Sequence, residues 1–137
     1  MAMKTYRGSC QCKKITFEAD IDLAEVGTGK CNCTSCFKRR WWSVRAEPAA
    51  FRALGGEENM SGYKPGQAKG HDGFCKSCGV TPYNWIGVSE WNPSEYVSVN
   101  VAAFDNGDPI ELLDNPTKYF DGLNDSWWTA PEETRHL

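Results

Sequence analysis

The sequence predicts a single, mainly β domain that is held together by bound metal. Three observations lead to this prediction: the chain has 137 residues, short runs of alternating apolar and polar residues recur along it, and its seven cysteines fall in three tight clusters. A chain of this length can bury one core of its own but rarely forms two domains. One domain over residues 1–137 is therefore expected.

The composition is that of an ordinary globular protein, with 40% hydrophobic and 24% charged residues. No stretch approaches the roughly 20 apolar residues of a membrane span. Residues 1–14 are too polar for a secretory signal, which predicts a cytoplasmic protein without a membrane partner. The net charge of -3 disfavours a nucleic-acid partner, because nucleic-acid-binding domains are usually strongly basic. A homo-oligomer is compatible with the sequence.

The clearest strand signals are residues 14–19 and residues 96–101, each of which places three apolar side chains on one face. Glycine, proline and asparagine turn signals separate the weaker strand candidates from one another. These weaker candidates are residues 6–10, 41–46, 59–63 and 83–88.

Two segments carry weaker patterns. Residues 48–54 are compatible with one or two helical turns. Residues 115–137 have no clear period, and we expect them to wrap the surface, anchored by aromatic side chains: Tyr119, Phe120, Trp127 and Trp128.

Every cysteine has another cysteine two or three positions away, as the positions Cys10, Cys12, Cys31, Cys33, Cys36, Cys75 and Cys78 show. Thiols this close along the chain pair poorly as disulfides, and an odd number cannot all pair. Clustered thiolates need a cation, and zinc takes four ligands that typically come as pairs from separate loops. Zinc binding is therefore predicted.

Four of the seven thiolates would complete one four-ligand zinc site, which leaves three thiolates over. The spacing of the cysteines along the chain allows two ways of choosing those four. A two-knuckle ribbon would use Cys33, Cys36, Cys75 and Cys78. The alternative quartet is Cys10, Cys12, Cys75 and Cys78, which leaves Cys31, Cys33 and Cys36 as a trio from one short segment. The second division explains the odd number better, because three protein ligands and an open fourth position are the arrangement of catalytic zinc.

Basic residues concentrate near the cysteines. Stretches within four residues of a cysteine contain eight of the fifteen lysines and arginines but one of the eighteen acids. Part of this excess compensates thiolate charge, and the rest predicts a positive lip that attracts carboxylates. Arg39 and Arg40, next to the trio, are the strongest candidates for such contacts, although some of these cations are simply solvated.

Three motifs in this order, residues 8–12 (GSCQC), 31–36 (CNCTSC) and 74–79 (FCKSCG), resemble the glutathione-dependent formaldehyde-activating enzyme family, which includes the centromere protein V type. The resemblance covers residues 4–130, and residues 121–128 (DGLNDSWW) are similar to the C-terminal segment of many bacterial members. It implies a Mss4-like fold, often described as a β-tent, with a structural and a catalytic zinc ion. The implied structural ligands are Cys10, Cys12, Cys75 and Cys78, and the implied catalytic ligands are Cys31, Cys33 and Cys36.

The resemblance also implies a carbon-sulfur lyase that acts on the adduct of glutathione, or another thiol, with a small aldehyde, such as S-hydroxymethylglutathione. Three thiolates donate strongly to zinc, which favours activation of sulfur over hydrolysis. Arg39 and Arg40 would hold glutathione carboxylates. The alternative is a non-catalytic binding module in which zinc only stabilises the fold. Two closed zinc sites would need eight good ligands, however, and the chain has seven cysteines.

Other candidate residues have ordinary structural explanations as well as functional ones. His71 could act as a general base or fourth ligand, although surface-loop histidines are commoner. Trp41 and Trp42 could wall a pocket, although ordinary core packing explains them as well.

Overall fold

The structure is a computed structural model that describes residues 3–61, 73–90 and 92–137. Within these residues the chain is mainly β, as the sequence predicted. The strands are β1 (Lys4–Ser9), β2 (Thr16–Ile21), β3 (Thr28–Cys31), β4 (Trp42–Ala46), β5 (Phe51–Gly55), β6 (Met60–Ser61), β7 (Phe74–Cys75), β8 (Tyr83–Ile86), β9 (Tyr96–Asn100) and β10 (Thr117–Phe120). The α-helices are α1 (Leu23–Val26), α2 (Thr34–Arg39) and α3 (Pro109–Asp114), and the 3-10 turns are Pro48–Ala50, Glu57–Asn59, Val101–Ala103 and Gly122–Asn124.

The described strands form three sheets. A five-stranded sheet has the order β10-β3-β4-β9-β8, in which β10 and β3 are parallel and the other neighbours are antiparallel. A three-stranded antiparallel sheet has the order β1-β2-β5, and β6 pairs with β7. Cysteines lie at the ends of β3 and β7 and one residue after β1, so the sheets bring the motifs to the places where strands end.

Aromatic packing joins the two larger sheets. The Phe17 ring on β2 lies 5.6 Å from the Tyr83 ring on β8, and the Phe51 ring on β5 lies 4.7 Å from the same Tyr83 ring. Val97 and Val99 on β9 are fully buried beside them. Edge-to-face contacts of this kind add to the stabilisation that burial alone gives. The core therefore lies between the three-stranded and five-stranded sheets.

The two clearest strand predictions are confirmed as β2 and β9, with boundaries shifted by one or two residues. The weaker candidates correspond to β1, β4, β6 and β8, although residues 62 and 63 of the 59–63 candidate lie outside the described residues. The helical prediction for residues 48–54 is wrong after Ala50, because β5 begins at Phe51 and pairs along β2. Tertiary pairing with an open strand edge overrides a weak local pattern here.

Residues 115–137 depart from the prediction in two ways. They contain β10, whose parallel pairing with β3 brings Phe120 opposite Cys31. Trp128 is 87% exposed and does not anchor the segment. Trp127 does, because its ring packs against the backbone of Gly122. None of the described helices has the length and apolar character needed to cross a membrane.

Because Gly8 on β1 has no side chain, the Phe17 ring and the backbone of Ala103 can pack closely against it in the core. A Cβ atom at Gly8 would lie 2.3 Å from the Phe17 ring and 2.7 Å from the backbone oxygen of Ala103. We expect Gly8→Ala to lower the free energy of unfolding by about 1–3 kcal/mol, because both neighbours would have to shift. The change is measured by chemical denaturation of the metal-loaded protein.

Gly55→Ala is the matched control, since a Cβ atom there would meet only the Thr16 hydroxyl, at an ordinary 3.6 Å. Equal denaturation midpoints for the two variants would contradict this account of the core.

Candidate functional site

The seven cysteines form two groups in space, and within each group all Sγ atoms lie within 4.8 Å of one another. The quartet contains Cys10, Cys12, Cys75 and Cys78, and the trio contains Cys31, Cys33 and Cys36. The two-knuckle alternative drew its ligands from both groups. The structure thus brings the cysteines together in the division that the sequence favoured.

The spacing of sulfur atoms in the quartet fits a zinc ion. Cys12 Sγ lies 3.6 Å from Cys10 Sγ and 3.7 Å from Cys75 Sγ. A tetrahedral ion with zinc-sulfur bonds of about 2.3 Å has sulfur-sulfur edges of about 3.8 Å. Four thiolates at this spacing can hold zinc without rearrangement of the backbone.

Two tight turns present the quartet. In the first, the Lys13 N–H donates to the Cys10 carbonyl over 3.0 Å, with Lys13 in the left-handed region. In the second, the Gly79 N–H donates to the Cys75 carbonyl over 2.8 Å, with a φ of +82° that glycine adopts without strain. Asn59 adds a side-chain hydrogen bond from Nδ2 to Cys75 Sγ, 3.2 Å long.

The electrostatics of the second turn favour thiolate. Burial opposes ionisation of Cys75, but the backbone N–H groups of Cys78 and Ser77 and the neighbouring thiols outweigh it and lower the Cys75 pKa to about 6. Hydrogen bonds to the charged form of a group stabilise that form. The turn therefore prepares a ligand for a metal cation.

The trio comes from the junction of β3 and α2. Cys31 ends β3, Cys33 caps the first turn of α2, and Cys36 lies buried within that turn. The Cys36 N–H donates to Cys33 Sγ and the Cys33 N–H donates to Cys31 Sγ, each over 3.4 Å. One short segment therefore gathers three sulfur atoms around a single point.

The three thiols of the trio differ in acidity. Burial opposes ionisation of Cys33, but hydrogen bonds led by the Cys36 backbone N–H lower its pKa below the usual value. Burial, followed by the proximity of Cys33, raises the pKa of Cys36. Without a cation this cluster favours one thiolate, and a bound metal ion would be needed to hold all three sulfur atoms ionised.

A second segment fixes the trio from outside. The side chain of Asn32 donates to Asp121 Oδ1 over 2.8 Å and accepts from the Leu123 N–H over 2.9 Å. Gly122 lies between them, where a Cβ atom would come within 2.8 Å of Cys31 Sγ and 2.6 Å of the Trp127 ring. The chain after β10 therefore packs directly on the first sulfur of the trio.

A pocket of about 110 Å³ opens beside the trio, and Cys31 and Cys36 line it. Trp41, Trp42 and Phe37 form its aromatic wall. Within residues 3–61, 73–90 and 92–137, no fourth histidine, cysteine or acidic side chain joins the trio. The site therefore combines three soft donors with a small cavity on one side.

Two cations line this pocket. Arg40 lies over the Phe37 ring at 5.4 Å, and Lys30 lies over the Trp42 ring at 4.8 Å. Burial lowers the pKa of Lys30, and the nearby positive charge of Arg40 lowers it further. Arg39 lines a neighbouring cavity of about 660 Å³, which shares Arg40 and Trp41 with the pocket.

The sequence singled out Arg40, Trp41 and Trp42, and all three line the pocket. It did not single out Lys30, although its position beside Cys31 was the available signal. It also missed the roles of Asn32 and Gly122, for which the only hint was the motif of residues 121–128. His71 lies outside the described residues.

Two comparisons with known proteins show what this chain is similar to. A model of the glutathione-dependent formaldehyde-activating enzyme family matches residues 5–119. The fold is also similar to a crystal structure of a Rhodobacter sphaeroides protein, a structural genomics target, with a TM-score of 0.60 and 25% sequence identity. That match covers 82% of this chain and 98% of the other.

Metal analysis of the purified protein is expected to find two zinc ions per chain. A chelator should remove one ion much faster than the other, because the trio offers three protein ligands and the quartet offers four. One tightly held ion, with the trio thiols free towards a thiol reagent, would contradict this assignment.

Gly122→Ala tests the packing on the trio. The added methyl group meets Cys31 Sγ and the Trp127 ring, so we expect the more labile ion to dissociate at least about tenfold faster. The ion in the quartet should dissociate at its parental rate, which separates this local effect from the loss of stability that the same clashes cause. Gly55→Ala is again the control, and equal dissociation rates in the two variants would rule out this role for Gly122.

Proposed function

The chain belongs to the glutathione-dependent formaldehyde-activating enzyme family, and we propose that it is a zinc-dependent carbon-sulfur lyase. Its proposed substrate is the adduct of glutathione, or another carboxylate-bearing thiol, with a small aldehyde such as formaldehyde. The observation that carries this proposal is the trio, a cluster of three sulfur atoms whose members Cys31 and Cys36 line a small pocket that also has cations in its lining.

Cys31, Cys33 and Cys36 would hold the catalytic zinc, and Cys10, Cys12, Cys75 and Cys78 the structural one. Zinc bound by three thiolates lowers the pKa of a thiol at its free position, so that a thiolate is available at neutral pH. The contribution of the chain is to fix the spacing of the three sulfur atoms, to favour the thiolate of Cys33 and to leave one side open.

The reaction itself needs little rearrangement. In the direction of addition, the thiol sulfur attacks the aldehyde carbon, a carbon-sulfur bond forms, and the carbonyl oxygen takes the proton that the thiol gave up. The lyase direction reverses these changes. Since the uncatalysed addition is already fast, a barrier reduction of about 3 kcal/mol, or roughly 100-fold in rate, is sufficient.

The pocket supports this chemistry by its size and charge. A volume of about 110 Å³ accommodates a one-carbon aldehyde, since a water molecule takes about 30 Å³ in the liquid. Trp41, Trp42 and Phe37 give the pocket an aromatic wall beside the space that the aldehyde carbon would occupy. Arg40 is in position to pair with a carboxylate of the thiol, and Arg39 borders the larger cavity into which the rest of a peptide could extend.

Cys33→Ser tests the catalytic assignment. Serine can still cap α2, so the fold should survive. We expect the exchange between formaldehyde and S-hydroxymethylglutathione, followed by magnetisation-transfer NMR, to fall to the uncatalysed rate. Cys78→Ser removes a quartet ligand instead and is expected to unfold the protein, as judged by circular dichroism.

Equal damage from the two serine variants, in activity and in stability, would undo the division of roles. Full activity of Cys33→Ser would contradict the catalytic role of the trio, and an exchange rate of the parent protein equal to the uncatalysed rate would favour the non-catalytic binding module.

A further inference from the structure

Residues 134–137 lie against the mouth of the trio's pocket. Arg40 Nη1 donates to the main-chain carbonyl of His136 over 2.6 Å, and Lys30 Nζ donates to the main-chain oxygen of Leu137 over 3.1 Å. The His136 ring packs edge-on against Phe37 at 5.5 Å, and Leu137 lines the pocket. Both cations of the pocket are therefore engaged by the chain itself.

The arrangement of Lys30 and Arg40 suits a carboxylate. Each cation rests on an aromatic ring, which holds its position. None of the described residues that line the pocket is acidic. Lys30 and Arg40 donate to the main-chain oxygens of neighbouring residues, and such hydrogen bonds from cations are stronger when the acceptor is an anion.

The backbone conformation of Arg40 is a second observation that points to a functional role for this residue. Arg40 follows α2 with a φ of 54° and a ψ of 45°, the left-handed conformation that glycine usually supplies at a helix end. A side chain at such a position costs stability, and strain of this kind is characteristic of functional positions. The guanidinium group of this arginine lines the pocket and donates to the chain at its mouth, which gives the strained position a use.

The volume of the pocket is the third observation. With residues 134–137 in position the pocket holds about 110 Å³, whereas sites for drug-sized ligands hold about 300–1,000 Å³. A one-carbon aldehyde fits this space, whereas a tripeptide thiol would also need the neighbouring cavity that Arg39 lines or a wider pocket. Displacement of Leu137 and His136 would widen the pocket and free both cations at once.

We propose that Lys30 and Arg40 form the carboxylate subsite of the thiol ligand, and that residues 134–137 occupy this subsite until the ligand displaces them. This inference rests on the proposed function, because it takes the ligand to be a thiol that carries carboxylates. The segment then acts as a strap that competes with the ligand and closes the pocket between turnovers.

The test measures binding of S-methylglutathione to the zinc-loaded protein by isothermal titration calorimetry. This probe keeps both carboxylates of glutathione but has no free thiol, so its binding does not depend on catalysis. A chain that ends at Glu133 is compared with the full chain, and the expected result is about tenfold tighter binding, because the ligand no longer displaces the strap. Val88→Ala is the control and should bind the probe as the full chain does, since Val88 lies outside the strap and is 69% exposed.

Two further variants address the subsite itself. Lys30→Met and Arg40→Gly are each expected to weaken binding of S-methylglutathione about tenfold in the shortened chain. Glycine suits the left-handed backbone at position 40, so Arg40→Gly should keep the denaturation midpoint at or above that of the parent. In chains that carry both substitutions, removal of residues 134–137 should no longer improve binding.

Equal affinity of the full and shortened chains, or unchanged affinity on substitution of both cations, would overturn the inference and direct attention to the cavity that Arg39 lines. Absence of binding in every form would also overturn it. Tighter binding by the shortened chain, without catalysis of aldehyde exchange, would support the subsite and contradict the lyase.

Discussion

The unequal division of seven sulfur atoms is the constraint on which the molecule depends. Four of them join the turn after β1 to the turn after β7, two places far apart in the sequence. Three others lie within six residues at the junction of β3 and α2. A bound ion in the quartet would tie distant parts of the chain together, whereas one in the trio would tie only local backbone. Stability and chemistry can therefore reside in different sites of one small domain.

The three cysteines of the trio are close together in the sequence, but a distant segment of the chain also holds them in place. Parallel pairing of β10 with β3 brings the following chain onto Cys31, and Asn32 secures it with hydrogen bonds in both directions. Gly122 permits a contact with Cys31 Sγ that any side chain would prevent. Beyond this contact the same stretch of chain returns to the pocket as residues 134–137. The end of the described chain thus supports the ligands on one side and covers the pocket on the other.

The sequence predicted what depends on short-range pattern and on residue chemistry. Alternation revealed β2 and β9 because each has one face in the core, and the odd cysteine count favoured the quartet and the trio. It did not predict β10, which is defined by parallel pairing with a distant strand. It also misjudged residues 51–54, where pairing with β2 overrides local preference. Asn32 and Gly122 were missed because their roles arise only when residues about 90 positions apart in the chain meet.

Anomalous diffraction at the zinc edge from crystals of the loaded protein tests the central claim most directly. Two ions are expected, one surrounded by four cysteine sulfur atoms at about 2.3 Å and the other by Cys31, Cys33 and Cys36 with solvent or added thiol in the fourth position. A protein side chain in that fourth position would close the second site and leave a scaffold with two structural ions.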